Sequence, residues 1–155
     1  MTQTFKIYWE DFSVGDVRHF GARLVTESEI IAFAKEYDPQ RFHISPEAGE
    51  QTIFKGIIAS GWQTCGFMMR MMCDDFLLDS SSLGSPGLEN IKWLKPVRPG
   101  DVLSLRTEVL EVRPMKSKPN TGLVHLLWNC LNQSEEIVTS MQGWMMFLKR
   151  ENTLL

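Results

Sequence analysis

Three stretches in the C-terminal half alternate between apolar and polar positions. Leu103, Leu105, Thr107 and Val109 are interleaved with Ser104, Arg106 and Glu108. Val124, Leu126, Trp128 and Cys130 repeat the pattern, and Ile137 to Leu148 forms a third run. A period of two turns alternate side chains to one face, so each run predicts a half-buried strand. Ahead of them, Ile91 to Lys95 predicts another strand, followed by a proline-fixed corner at Pro96 to Asp101. Two stretches have helical character instead. Ile30, Phe33, Ala34 and Tyr37 fall at i, i+3, i+4 and i+7, which predicts a helix over 27–37. Thr26 and Glu29 have capping-box spacing at its start. From Trp62 to Leu78 the chain is apolar nearly all round, with Phe67, Met68, Met69, Met71 and Met72, which predicts a helix buried on every side. One buried helix followed by a run of strands predicts an α+β fold, an antiparallel sheet with the helix against one face.

The remaining segments fit around this frame. Residues 5–20 read as a leading segment, with a turn at Val14-Gly15-Asp16, that runs into a further strand. Ser45-Pro46 reads as an N-cap and first helical residue, predicting a single turn near 46–50. Asp79 to Asn90 and Arg113 to Gly122 read as connections, and the tail from Lys149 is expected to fray. The 155 residues suit one domain, 1–155. A net charge of −3 removes any general attraction to nucleic acid. The N-terminal region has no apolar core of a signal peptide. Arg70, Asp74 and Asp75 interrupt the best candidate for a membrane span, so no membrane partner is expected. Cys65, Cys73 and Cys130 are scattered and odd in number, which suits buried thiols in a reducing cytoplasm. His19, His43 and His125 show no metal-ligand spacing, so no metal is expected.

Candidate chemistry lies between Tyr37 and Gly61. Asp38 precedes His43 by five positions. Such residues point to opposite faces of a strand and lie roughly 140° apart around a helix. Only an irregular turn brings them together. Pro39 supplies one, because it ends the preceding helix near Tyr37. The spacing alone equally allows a surface Asp and a packed His. Ser60-Gly61 precedes the long apolar run and reads as a helix start whose free amides can hold a developing negative charge. Gly61 also suits close packing under the sheet, and Gly56 allows close backbone approach within the apolar stretch from Phe54 to Ala59.

Taken in order, these motifs resemble a known family. Asp-x4-His, Phe-x-Gly-x-Ile-Ala-x-Gly, a long apolar helix and Trp-x-x-Pro-Val-x-Pro-Gly-Asp match the MaoC-like dehydratases over about residues 8–148. Relatives of that family include the (R)-specific enoyl-CoA hydratases. The resemblance implies a hot-dog fold, a curved antiparallel sheet wrapped around one long helix. It also implies a homodimer or dimer-based assembly, with an acyl-CoA tunnel near the interface, and no cofactor beyond the CoA thioester substrate. The implied reaction is reversible addition of water across the 2,3 double bond of an enoyl-CoA, giving a 3-hydroxyacyl-CoA. By position, Asp38 and His43 are the implied catalytic pair, and the Gly61 amide polarises the thioester carbonyl. Ser60, Phe54, Gly56 and Trp62 are the implied substrate-binding residues. The chain departs from the family pattern at Gln40 and Arg41, where Asn and Pro are commonest, and at Ser60, where His is frequent. Two alternatives stay open: an acyl-CoA thioesterase of the same fold class, or a non-catalytic acyl-CoA-binding or structural subunit. Arg113, Lys116, Lys118, Lys92, Lys95 and Arg98 are candidates for the CoA phosphates.

Overall fold

The computed structural model describes residues 4–150. Five strands form one antiparallel sheet: β1 (Val17–Leu24), β2 (Gly87–Trp93), β3 (Val102–Pro114), β4 (Thr121–Leu131) and β5 (Ile137–Leu148). Their order is β1-β3-β4-β5-β2, so β1 and β2 are the edges. Among the described residues four α-helices precede β2: α1 (Glu27–Tyr37), α2 (Arg41–Ile44), α3 (Pro46–Glu50) and α4 (Gly61–Met72). The period-two runs form β3, β4 and β5 as expected, and their alternate residues turn inward. Leu103, Leu105, Val109, Val124, Leu126 and Phe147 pack there with Phe67, Met68, Met71 and Met72 of α4. No helix among the described residues is long and apolar enough to cross a membrane.

The local signals act as their chemistry requires. Thr26 Oγ1 accepts from the Glu29 amide at 3.3 Å, and Glu29 Oε2 accepts from the Thr26 amide at 3.0 Å. Two orphan donors at the start of α1 are thereby satisfied. Ser45 caps α3 by accepting from the Ala48 amide at 3.1 Å, with Pro46 in the first turn.

The corner at residues 96–101 fastens both helices that matter. The Asp101 carboxylate accepts from the Arg98 amide at 2.8 Å. Val25, just before α1, exchanges backbone bonds with Gly100 and Asp101, both 2.8 Å. Ala59, just before α4, donates its amide to the Val97 carbonyl at 2.8 Å. The starts of α1 and α4 therefore have a common anchor.

Three expectations are corrected. The apolar helix does not run unbroken to Leu78 and is not buried all round. α4 ends at Met72 and continues as one wider π-type turn, Cys73–Leu77. Trp62 and Met69 are exposed on the side away from Met68 and Met72. The exposed side is apolar as well, so the sequence offered no contrast between the two faces. The loop after Asp79 is shorter than expected, because β2 begins at Gly87. The tail does not fray at Lys149 and Arg150. Lys149 Nζ donates to the Pro119 carbonyl at 3.0 Å, and Arg150 donates twice to the Asp11 carboxylate, at 2.8 and 2.6 Å. Residues 151–155 of that tail lie outside the described residues.

Candidate active site

Asp38 is the C-cap of α1, where its amide still donates to the Ala34 carbonyl at 2.9 Å. Its φ of −150° takes the chain out of the helix ahead of Pro39. The intervening segment is not purely a loop. Pro39 and Gln40 are followed by the single turn of α2, and this turn carries His43 back towards Asp38. The two side chains meet: His43 Nε2 lies 3.4 Å from Asp38 Oδ2.

His43 is buried, 4% exposed, and its other ring nitrogen is committed. Nδ1 lies 2.7 Å from the Ile58 carbonyl oxygen. A carbonyl only accepts, so Nδ1 carries the proton. In the neutral ring, Nε2 is then a bare lone pair facing a carboxylate. A molecule with two O–H donors can donate to both acceptors.

Asp38 is held from two further sides. Ser60, fully buried, donates its hydroxyl to Asp38 Oδ2 at 2.7 Å. Gln40 Nε2 donates to Oδ1 at 2.8 Å. Burial acts to raise the carboxyl pKa. Donation from Ser60, donation from Gln40 and the neighbouring His43 outweigh it, leaving the pKa below the usual carboxylate value.

A cavity of about 460 Å³ opens in front of the pair. Asp38, His43, Phe54, Gly61, Trp62 and Trp93 are among its walls, and Thr139 of β5 also lines it. The space between the pair and the leading end of α4 is therefore open. Among the described residues the Gly61 amide has no hydrogen-bond partner, whereas the next amide, Trp62, is capped by Ser60 Oγ at 3.3 Å. A larger open depression of about 760 Å³ lies between β1 and the far end of α4, and neither Asp38 nor His43 lines it.

Not every expected residue is a wall. Ser60 sits behind Asp38 and does not line the cavity. Gly56 does not line it either; its close approach is to the Gly49 backbone and the Arg98 guanidinium. Gly61 is at the wall, but the space a Cβ would take is already filled by the Trp93 indole, so packing accounts for the glycine. Of the basic candidates, Lys95 lines the cavity, with its ammonium paired to Glu136. Arg98 donates to the Phe54 carbonyl, at the cavity's edge. Arg113 is held instead over the Trp144 ring, 4.3 Å from its centre. The sequence reading missed Gln40 as a partner of Asp38 and Trp93 as a partner of Gly61. Gln40 stood out there only as a departure from a familiar pattern.

An antiparallel sheet packed against one central helix is the architecture of a hot-dog protein. A Mycobacterium tuberculosis protein described as having a double hotdog fold superposes with a TM-score of 0.78 at 18% identity, over 94% of this chain and 45% of that one. The profile of the family described as MaoC like domain matches residues 12–126. The chain belongs to that family. Its similarities include the uncharacterized protein YdeM of Bacillus subtilis, 29% identical over 126 residues, covering 81% of this chain and 88% of that protein. An (R)-specific enoyl-CoA hydratase of Rhodospirillum rubrum is 28% identical over 114 residues, covering 70% and 74%. A solved MaoC-like dehydratase from the same organism is 36% identical, with a TM-score of 0.86 over 93% of this chain and 98% of that one.

Proposed function

We propose that this protein is a hydratase/dehydratase that adds water reversibly across the 2,3 double bond of an enoyl-CoA, giving a 3-hydroxyacyl-CoA. The observation that carries the reading is the pair itself. Asp38 Oδ2 and His43 Nε2 stand 3.4 Å apart at the wall of an open cavity, with Nδ1 tied to Ile58. Water donating to both acceptors has its oxygen free to attack C3. The family match and the similarity to an (R)-specific enoyl-CoA hydratase support the same chemistry.

As oxygen adds to C3, negative charge moves to the thioester oxygen. The Gly61 amide, at the positive end of α4, is the donor to meet it. Losing one such donor typically raises a barrier by about 3–4 kcal/mol. A second copy of the chain belongs to this reading. Trp62 of α4 and Trp93 of β2, 59% and 46% exposed, meet edge to face at 5.3 Å beside the cavity mouth. Leu88 of β2 and Leu94 just after it are exposed as well, and β2 is an edge of the sheet, which a homodimer would cover.

The test is purified protein with enoyl-CoAs of short, medium and branched acyl chains, following enoyl absorbance and free thiol together. Loss of absorbance without thiol is expected. Asp38→Asn and His43→Ala should each lower kcat/KM by about 10²-fold or more. Thiol release without hydration would make the protein a thioesterase instead. A double variant with full hydratase activity would remove the pair from the chemistry.

A further inference from the structure

The two members of the pair are tethered differently, and that difference divides their work. Both Asp38 oxygens already accept hydrogen bonds, Oδ2 from Ser60 at 2.7 Å and Oδ1 from Gln40 at 2.8 Å. The Ser60 hydroxyl is itself fixed, because its oxygen accepts from the Trp62 amide at 3.3 Å. The carboxylate is thereby coupled to the first turn of α4, whose dipole favours negative charge nearby. His43 has one nitrogen committed as a donor and one free lone pair. Resting on the proposed hydration chemistry, we propose that Ser60 and Gln40 are positioning residues that keep Asp38 a fixed anion, leaving His43 Nε2 as the one member of the pair that exchanges a proton.

The atoms balance on that nitrogen. As the water oxygen bonds to C3, one water O–H bond breaks and its proton passes to Nε2. The C2–C3 π electrons move into the thioester as an enolate. Nε2 then returns the proton to C2, and the ring is neutral again. Asp38 carries its charge throughout, orienting the water and stabilising the transient imidazolium. Donors to a carboxylate favour its charged form, in line with the lowered pKa of Asp38. Among the described residues lining the cavity, few others carry charge. His43 is the titratable neighbour of Asp38 from α2, while Lys95, across the cavity, is paired to Glu136, and the Arg98 guanidinium is bonded to Phe54.

The experiment follows the Asp38 carboxyl and the His43 ring by NMR titration in the wild type, Ser60→Ala and Gln40→Met, with Asp38→Asn to assign the carboxyl signal. Gln40 is exposed, so its substitution leaves folding intact even if Ser60→Ala weakens the helix cap. The expected result is an upward shift of the Asp38 midpoint in both variants. The acid limb of kcat/KM should track the His43 titration in the wild type. kcat should fall roughly tenfold in Ser60→Ala with KM little changed, the size expected for one hydrogen bond to a charged group. An Asp38 midpoint unmoved in both folded variants overturns the proposal. So does an acid limb that follows Asp38 rather than His43. Shifted midpoints in a wild type that hydrates no enoyl-CoA would sink the proposed activity and leave the clamp standing.

Discussion

Gly61 offers the sharpest test of the packing around the site. Its φ is not among the positive values, so alanine is conformationally allowed there. The obstacle is external: an added Cβ would overlap Nε1, Cε2 and Cδ1 of Trp93. Trp93 is half exposed on an edge strand, so its ring can move, at a cost. Overpacking of this kind costs about 1–3 kcal/mol. Replacing glycine by alanine in a helix returns up to about 1 kcal/mol, and less in the first turn. Gly61→Ala should therefore destabilise by about 1–2 kcal/mol. With Trp93→Ala the overlap disappears, and the same substitution should be neutral or slightly stabilising. The coupling in the double-mutant cycle is then about 2 kcal/mol, read from urea unfolding of the four proteins at one fixed protomer concentration. A coupling below about 0.5 kcal/mol would refute the account, since independent sites add to within that margin. The cycle also separates packing from catalysis, because alanine keeps the backbone N–H. Any hydratase activity lost in Gly61→Ala should follow the displaced indole, not a missing donor.

Two further outcomes follow from polar side chains at Thr139 and Glu29. Among the described residues the buried Thr139 hydroxyl has no hydrogen-bond partner, so Thr139→Val, which keeps the shape and removes the orphan, should raise stability by about 1–2 kcal/mol in urea unfolding; a loss would mean the hydroxyl has a partner after all. For Glu29, burial raises the carboxyl pKa, but the Thr26 amide and hydroxyl and Arg23 outweigh it and hold it below the usual value. A depressed folded-state pKa contributes stability that is present above the ordinary glutamate pKa and lost as pH falls through the folded value. Glu29→Gln should therefore flatten the fall in stability below about pH 4, and an unchanged acid limb would refute the capping account.

How much of this was legible in the sequence depended on the distance between the cause and its effect along the chain. The capping box of α1 is legible because Thr26 and Glu29 satisfy each other three residues apart, whatever lies elsewhere. The strands β3 to β5 are legible because a one-sided sheet writes its two faces into alternate residues. The meeting of Asp38 and His43 was only half legible. Pro39 announced the break, but the turn of α2 that closes the gap has no strong signal of its own. Ser60 lies 22 residues from its partner Asp38, and Trp93 lies further still from Gly61, so neither contact leaves a local pattern. The exposed stripe of α4 was misread for a related reason. A composition without contrast reports that a helix is covered, not by what. Trp62 and Met69 are apolar yet open in the single chain. The corner at 96–101 shows where the site's precision originates. Val97 holds the residue before Ser60, and Asp101 holds the residue before Thr26. The starts of α1 and α4 are therefore tied to one corner between β2 and β3, and the rigid length of α1 carries the carboxylate from there.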